Sequence, residues 1–170
     1  MIYTAFSGTR RIAQGTLADV ALAVRSAPDV LVFAADGRVT DTDTRGSEAE
    51  IRARLAPPAR GRGRPSLGVQ PREVTMLPRQ WDWLAQQPGG ASAALRRLVD
   101  AARRSPEAEA RAARETAYRF MAAIAGDLPG YEEALRALFA GDAVALVART
   151  AGWPADVRDH ALKLAKGSTE

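Results

Sequence analysis

Arginine is the residue through which this sequence could do chemistry. It outnumbers lysine 22 to 2, and its planar guanidinium offers a rigid fork of donors that fits phosphate oxygens two at a time. The arginines are unevenly distributed. Residues 1–57 hold seven Arg and seven acids and are neutral overall. Residues 58–104 hold Arg60, Arg62, Arg64, Arg72, Arg79, Arg96, Arg97, Arg103 and Arg104 against Glu73, Asp82 and Asp100, a balance of +6, and residues 105–170 come to −2. An excess confined to one segment is the electrostatic footprint of a nucleic-acid contact. The competing reading is a solvated linker rich in arginine. Other chemistries lack their residues. With no cysteine, disulfides, thiolate metal sites and cysteine nucleophiles are excluded within this chain. The one histidine, His160, stands beside Asp156 and Asp159 but has no second His or Cys with which to hold a metal, and is expected at the surface or at a helix cap. Gly61 to Gly68 carries no Walker lysine. Glu132 and Glu133 read as a solvated helix face. The expectation is therefore a protein that is not an enzyme and takes no cofactor or metal.

The elements that must position these arginines follow from spacing and punctuation, and the fold class they imply is α+β. Residues 1–56 read as a small ββαββα unit. Its strands are Ile2 to Ser7, Arg10 to Gln14, Val30 to Phe33 and Arg38 to Asp43, the last pair joined by a type I′ turn at Asp36-Gly37. Thr16 starts a helix whose face is Leu17, Val20, Ala21 and Val24. Ser47 with Glu50 forms a capping box before Ile51 and Leu55. Residues 57–71, with Pro57-Pro58 and repeated Arg-Gly and Arg-Pro steps, form a basic linker. Residues 72–104 place an extended stretch before two helices. Pro78 suits a first helical turn, and Leu77, Trp81 and Leu84 share a face on which Trp81 is expected to fill the core. Trp83 lies on the other side. After Pro88-Gly89-Gly90, Ser92 is placed to cap the next helix, whose stripe is Leu95, Leu98, Val99 and Ala102. Residues 105–170 read as a separate helical domain, with helices at 107–125, 131–140, 142–149 and 155–165.

Arg72-Glu73-Val74-Thr75-Met76-Leu77-Pro78, the Gly-Gly-x-Ser turn at 89–92 and Ala94-Leu95-Arg96-Arg97-Leu98-Val99 together resemble the ribbon-helix-helix DNA-binding fold, over about 35 residues. The resemblance implies an intertwined homodimer, because one strand and two helices cannot bury a core by themselves. It also implies a two-stranded ribbon in the major groove and a phosphate held by the free amides near Ala91 and Ser92. The strand phase stays open: one phase turns Glu73, Thr75 and Leu77 inward, the other Arg72, Val74 and Met76. Arg60-Gly61-Arg62-Gly63-Arg64-Pro65 resembles the core of an AT-hook, which lays an extended arm in the minor groove. The candidate DNA contacts are then Arg60, Arg62, Arg64, Arg72, Thr75, Arg79, Ser92, Arg96 and Arg97.

The whole chain also resembles an uncharacterised family of bacterial proteins, through Leu-Pro-Arg-x-Trp-Asp-Trp-Leu at 77–84, Gln-Pro-Gly-Gly-Ala-Ser at 87–92 and Gly-Trp-Pro-Ala-Asp-Val-Arg-Asp-His at 152–160. The expected function is a homodimeric transcriptional regulator or nucleoid-associated protein whose partner is duplex DNA; a small-molecule effector is left unspecified. The alternative is a protein-interaction or scaffold protein whose basic segment is incidental. RNA binding is a third reading, against which sparse aromatics (6%) weigh. No apolar run approaches the roughly 20 residues that span a bilayer, and the first residues lack the order of a secretion signal. The expected location is cytoplasmic, without membrane contact.

Overall fold

The computed structural model describes residues 1–56 and 68–167. The chain divides into two compact units, one from Met1–Pro57 with Glu109–Glu170, the other Pro58–Ala108. The described residues form eight helices and a small antiparallel three-stranded sheet, a mixed α+β protein.

In the first unit, strands β1 (Tyr3–Ser7), β2 (Arg10–Gly15) and β3 (Val30–Phe33) pair in the order β2-β1-β3. Gly8 takes φ 53° in the two-residue turn between β1 and β2, which glycine does without steric cost. Strand residues alternate between faces, and this sheet needs both covered. Ala5 and Val32 pack with Val20 and Val24, on the side of helix α1 (Leu17–Ala23). Phe6 and Phe33 turn the other way, against Phe120 of α5 (Pro106–Ile124) and Val157 and Ala161 of α8 (Ala155–Lys166). The Phe6–Phe120 and Phe33–Phe120 ring centroids are 5.3 and 4.8 Å apart, within the range of favourable aromatic pairs.

That second core corrects the expectation of two separate modules at 1–56 and 105–170. The N-terminal segment has no element left to cover Phe6 and Phe33, each worth about 1.5–3 kcal/mol when buried. The C-terminal helices supply the cover. Helices α6 (Tyr131–Ala140) and α7 (Ala143–Thr150) complete the cluster with Ala134, Leu138 and Leu146. Polar contacts join the same elements. The Arg11 amide donates to Asp156 Oδ2 at 2.9 Å, and Arg119 Nη1 donates to the Asp36 carbonyl at 3.2 Å.

The fourth strand shrinks to one bridge, Phe33 to Val39, with the Thr40 amide donating to the Val32 carbonyl. Beyond it, Asp43 Oδ1 accepts from the Arg45 amide and side chain, and Arg54 donates to the carbonyls of Asp43 and Arg45. These local bonds occupy groups that a strand ladder would need. The turn also differs from expectation. Asp36 has no positive φ; Gly37 does, at 79°, closing a three-residue connection in which the Ala34 amide donates to the Arg38 carbonyl. Helix α2 (Glu48–Leu55) carries the expected capping box, the Ser47 amide donating to Glu50 Oε2 at 2.7 Å and the Glu50 amide to Ser47 Oγ at 3.3 Å.

Candidate nucleic-acid interface

The second unit is a helical hairpin, α3 (Pro78–Ala85) and α4 (Gly90–Arg103). Pro78 occupies the first turn of α3, where its missing N–H costs nothing. The Leu77 amide donates to Gln80 Oε1 at 2.9 Å and fixes the entry. Gly89 and Gly90 both take positive φ, 81° and 75°, so the chain reverses and α4 begins directly at Gly90. Ser92 therefore falls inside the first turn and is not the cap, a correction that follows from two adjacent residues able to adopt left-handed backbone. Its side chain is exposed. It lies among the first-turn positions whose amides a helix leaves without internal partners.

Two short helices bury little of each other. Leu84 (1% exposed) and Ala94 (2%) are buried, while Trp81 (41%), Trp83 (50%), Leu98 (49%) and Val99 (54%) stay open to solvent. Trp81 thus does not fill a core within this chain, as its spacing suggested; one facing helix with alanine at the contact is too small to cover it.

The candidate DNA contacts are placed as follows. Arg60, Arg62 and Arg64 lie outside the described residues. Arg72 and Thr75 are exposed in a stretch that belongs to no strand of the single chain. Arg79 is exposed in the first turn of α3, and Arg96 and Arg97 are exposed on α4. Ser92, Arg96 and Arg103, four and seven residues apart, share one side of α4. Arg97 folds back, its Nη2 donating to the Pro88 carbonyl at 3.0 Å, which brings its charge to the turn where α4 begins. Arg103 belongs to the candidate set as well, and its helical spacing from Ser92 and Arg96 is the signal that finds it.

The arginines of the first unit are divided, the side chains of Arg10, Arg11, Arg25, Arg111, Arg114 and Arg149 meeting no carboxylate among the described residues. The other seven of that unit, Arg38, Arg45, Arg52, Arg54, Arg119, Arg136 and Arg158, each meet a carboxylate. Asp43, beside Arg45 and Arg54, has its carboxyl held far below the ordinary carboxylate range. Among the described residues of the second unit, Arg72, Arg79, Arg96, Arg97, Arg103 and Arg104 make no such pair. Unneutralised guanidinium groups are available to an external anion.

His160 is not at the surface. It is 5% exposed, with ring centroids 4.7 Å from Phe120 and 5.5 Å from Phe6, and its Nδ1 has no hydrogen-bond partner among the described residues. Burial, together with the charges of Arg11 and Lys163, lowers its pKa to about 4. No group of three or more His, Asp or Glu among the described residues is placed to hold a metal ion, and no helix there is long and apolar enough to cross a membrane.

A family model described as "Uncharacterized protein conserved in bacteria (DUF2239)" matches residues 2–165, a span that includes both units. No curated protein and no solved structure matches the chain.

Proposed function

We propose, for a chain that belongs to this bacterial family, that residues 60–104 form a duplex-DNA-binding segment and that two copies associate through the apolar side of the α3–α4 hairpin. The observation that carries the reading is a coincidence on one small unit. Its six described arginines lack carboxylate partners while its Trp81, Trp83, Leu98 and Val99 remain open. A dimer on DNA uses both: apolar groups cover one another, and guanidinium groups replace the counterions condensed on phosphates. The finer picture is a ribbon of residues 72–77 from two chains in the major groove, the Arg60-Gly61-Arg62-Gly63-Arg64 arm in the minor groove, and the start of α4 on a phosphate. In that role the protein is a transcriptional regulator or a nucleoid-associated protein acting in the cytoplasm, and it performs no catalysis.

The test is binding of a duplex across a range of salt concentrations. Affinity should fall steeply, with a slope of roughly −0.9 per neutralised phosphate. Arg60→Ala, Arg62→Ala and Arg64→Ala together should flatten that slope by up to about 3 while leaving the melting temperature unchanged. Equal affinity and slope in the triple variant would make the arm a linker. Absence of duplex binding by the unmodified chain at low salt would leave the hairpin as a protein-interaction surface.

A further inference from the structure

Among α5, α6, α7 and α8 lies a cleft of about 230 Å³. Its wall is largely apolar, with Leu138, Leu146 and Leu162 forming the inner surface. Two cations reach it: Arg114 from α5 and Lys166 from the last turn of α8. The Arg114 guanidinium stands at the corner between α6 and α7, where a Cβ added at Gly141 would lie 3.8 Å from it. Neither cation forms an ion pair among the described residues. The lining has one carboxylate, Asp142, and it is engaged in its own helix, Oδ1 accepting from the Ala145 amide at 2.9 Å.

An apolar hollow lined by two cations and a single carboxylate keeps a net positive charge and selects a ligand of matching polarity. A neutral apolar molecule would leave both charges unanswered, and an inorganic anion would leave the leucines wet. Size narrows the class further. The cleft exceeds the roughly 150 Å³ that holds one benzene ring and falls below the roughly 300 Å³ at which drug-sized pockets begin. We propose that this cleft binds a small amphipathic carboxylate, its single ring or medium-length chain against Leu138, Leu146 and Leu162 and its carboxylate on Arg114 and Lys166. A guanidinium and an ammonium converging on one carboxylate give charge-assisted hydrogen bonds, the stronger class. The proposal does not depend on the DNA-binding reading.

The experiment titrates the full chain with octanoate and, separately, octanol, followed by calorimetry and by amide chemical shifts. Octanoate should bind at least tenfold more tightly than octanol, with shifts concentrated on the lining residues of α5 to α8. Arg114→Gln with Lys166→Gln should bring octanoate down to the level of octanol. If the double variant does not fold, Lys166→Gln alone, at an exposed side chain, should still weaken octanoate threefold or more and leave octanol unaffected. Equal binding of the two probes, unchanged octanoate affinity in a folded variant, shifts elsewhere in the chain, or no octanoate binding at millimolar concentration would each overturn the assignment.

Discussion

A proton on His160 would have to enter a space walled by Phe6 and Phe120 and facing the charges of Arg11 and Lys163. The folded chain takes that proton only near pH 4, whereas the unfolded chain takes it near 6.5. Between those values the unfolded state binds more protons, so this contribution to stability is complete above about pH 6.5 and lost as pH falls toward 4. The loss should be on the order of 2 kcal/mol by pH 4, after discounting for solvent screening of the two cations. His160→Phe, which keeps the ring and removes the titration, should flatten urea-unfolding stability across that window; a parallel decline in both proteins would assign the effect to other groups. Gly37 is constrained twice, by its φ of 79° and by the Thr116 carbonyl of α5, into which an added Cβ would run. Gly37→Ala should cost about 2 kcal/mol or more, read as a melting temperature several degrees lower. At the hairpin, Ser92→Glu puts a carboxylate where a phosphate would sit. It should weaken binding to specific and random duplexes alike and leave the melting temperature unchanged, since an acid in a first helical turn is favourable. Full affinity in that folded variant would turn this helix start away from DNA.

The α3–α4 hairpin leaves Trp81, Trp83, Leu98 and Val99 open to solvent. Leu98 is half-exposed in a single chain, so Leu98→Asp should leave the hairpin folded while separating the proposed dimer, with sedimentation shifting from concentration-dependent to monomeric. A variant as dimeric as its parent would move the interface elsewhere. The same element marks how far sequence alone reached. Helix starts and stops were legible because their causes are local: Ser47 with Glu50, Pro78, the left-handed Gly130 and Gly141 at the two ends of α6. Strand Arg38 to Asp43 was not, because alternating threonines and aspartates satisfy strand periodicity while the Asp43 side chain takes the Arg45 amide instead. Trp81 was misplaced for a different reason. An amphipathic stripe tells that a face will be covered, not whether the cover comes from the same chain. In the candidate site, the exposure of Arg96 and Arg97 followed from their position off the Leu95 to Ala102 stripe, whereas the return of Arg97 to Pro88 depends on the shape of the glycine turn.

At the scale of the whole chain, the shared core of residues 1–57 and 109–170 was hidden from sequence because its contacts are distant. Phe6 and Phe33 look like ordinary strand residues until Phe120 and Val157 are known to lie against them. A prediction follows for dissection. Residues 1–57 expressed alone should lack dispersed amide signals, and adding residues 109–170 as a separate chain should restore them. A well-folded isolated 1–57 fragment would show that the α1 side of the sheet suffices. Residues 58–108 should be removable, with a short flexible link in their place, without unfolding the remainder, because they contribute nothing to the Phe6–Phe120 cluster.

The interrupted first unit also sets a schedule for synthesis. When β3 leaves the ribosome, β1 and β3 can pair, but the helices that cover the Phe6 and Phe33 face have not been made, and the intervening unit must be translated before α5 is complete. At about 5–20 residues per second, the nascent sheet carries a bare aromatic face for several to tens of seconds. That interval is long compared with the microseconds in which hydrophobic collapse occurs. The newborn chain is therefore most exposed to misassembly and to holdase capture before α8 has been made, and a stalled chain ending before residue 150 should bind such chaperones far more than the complete one.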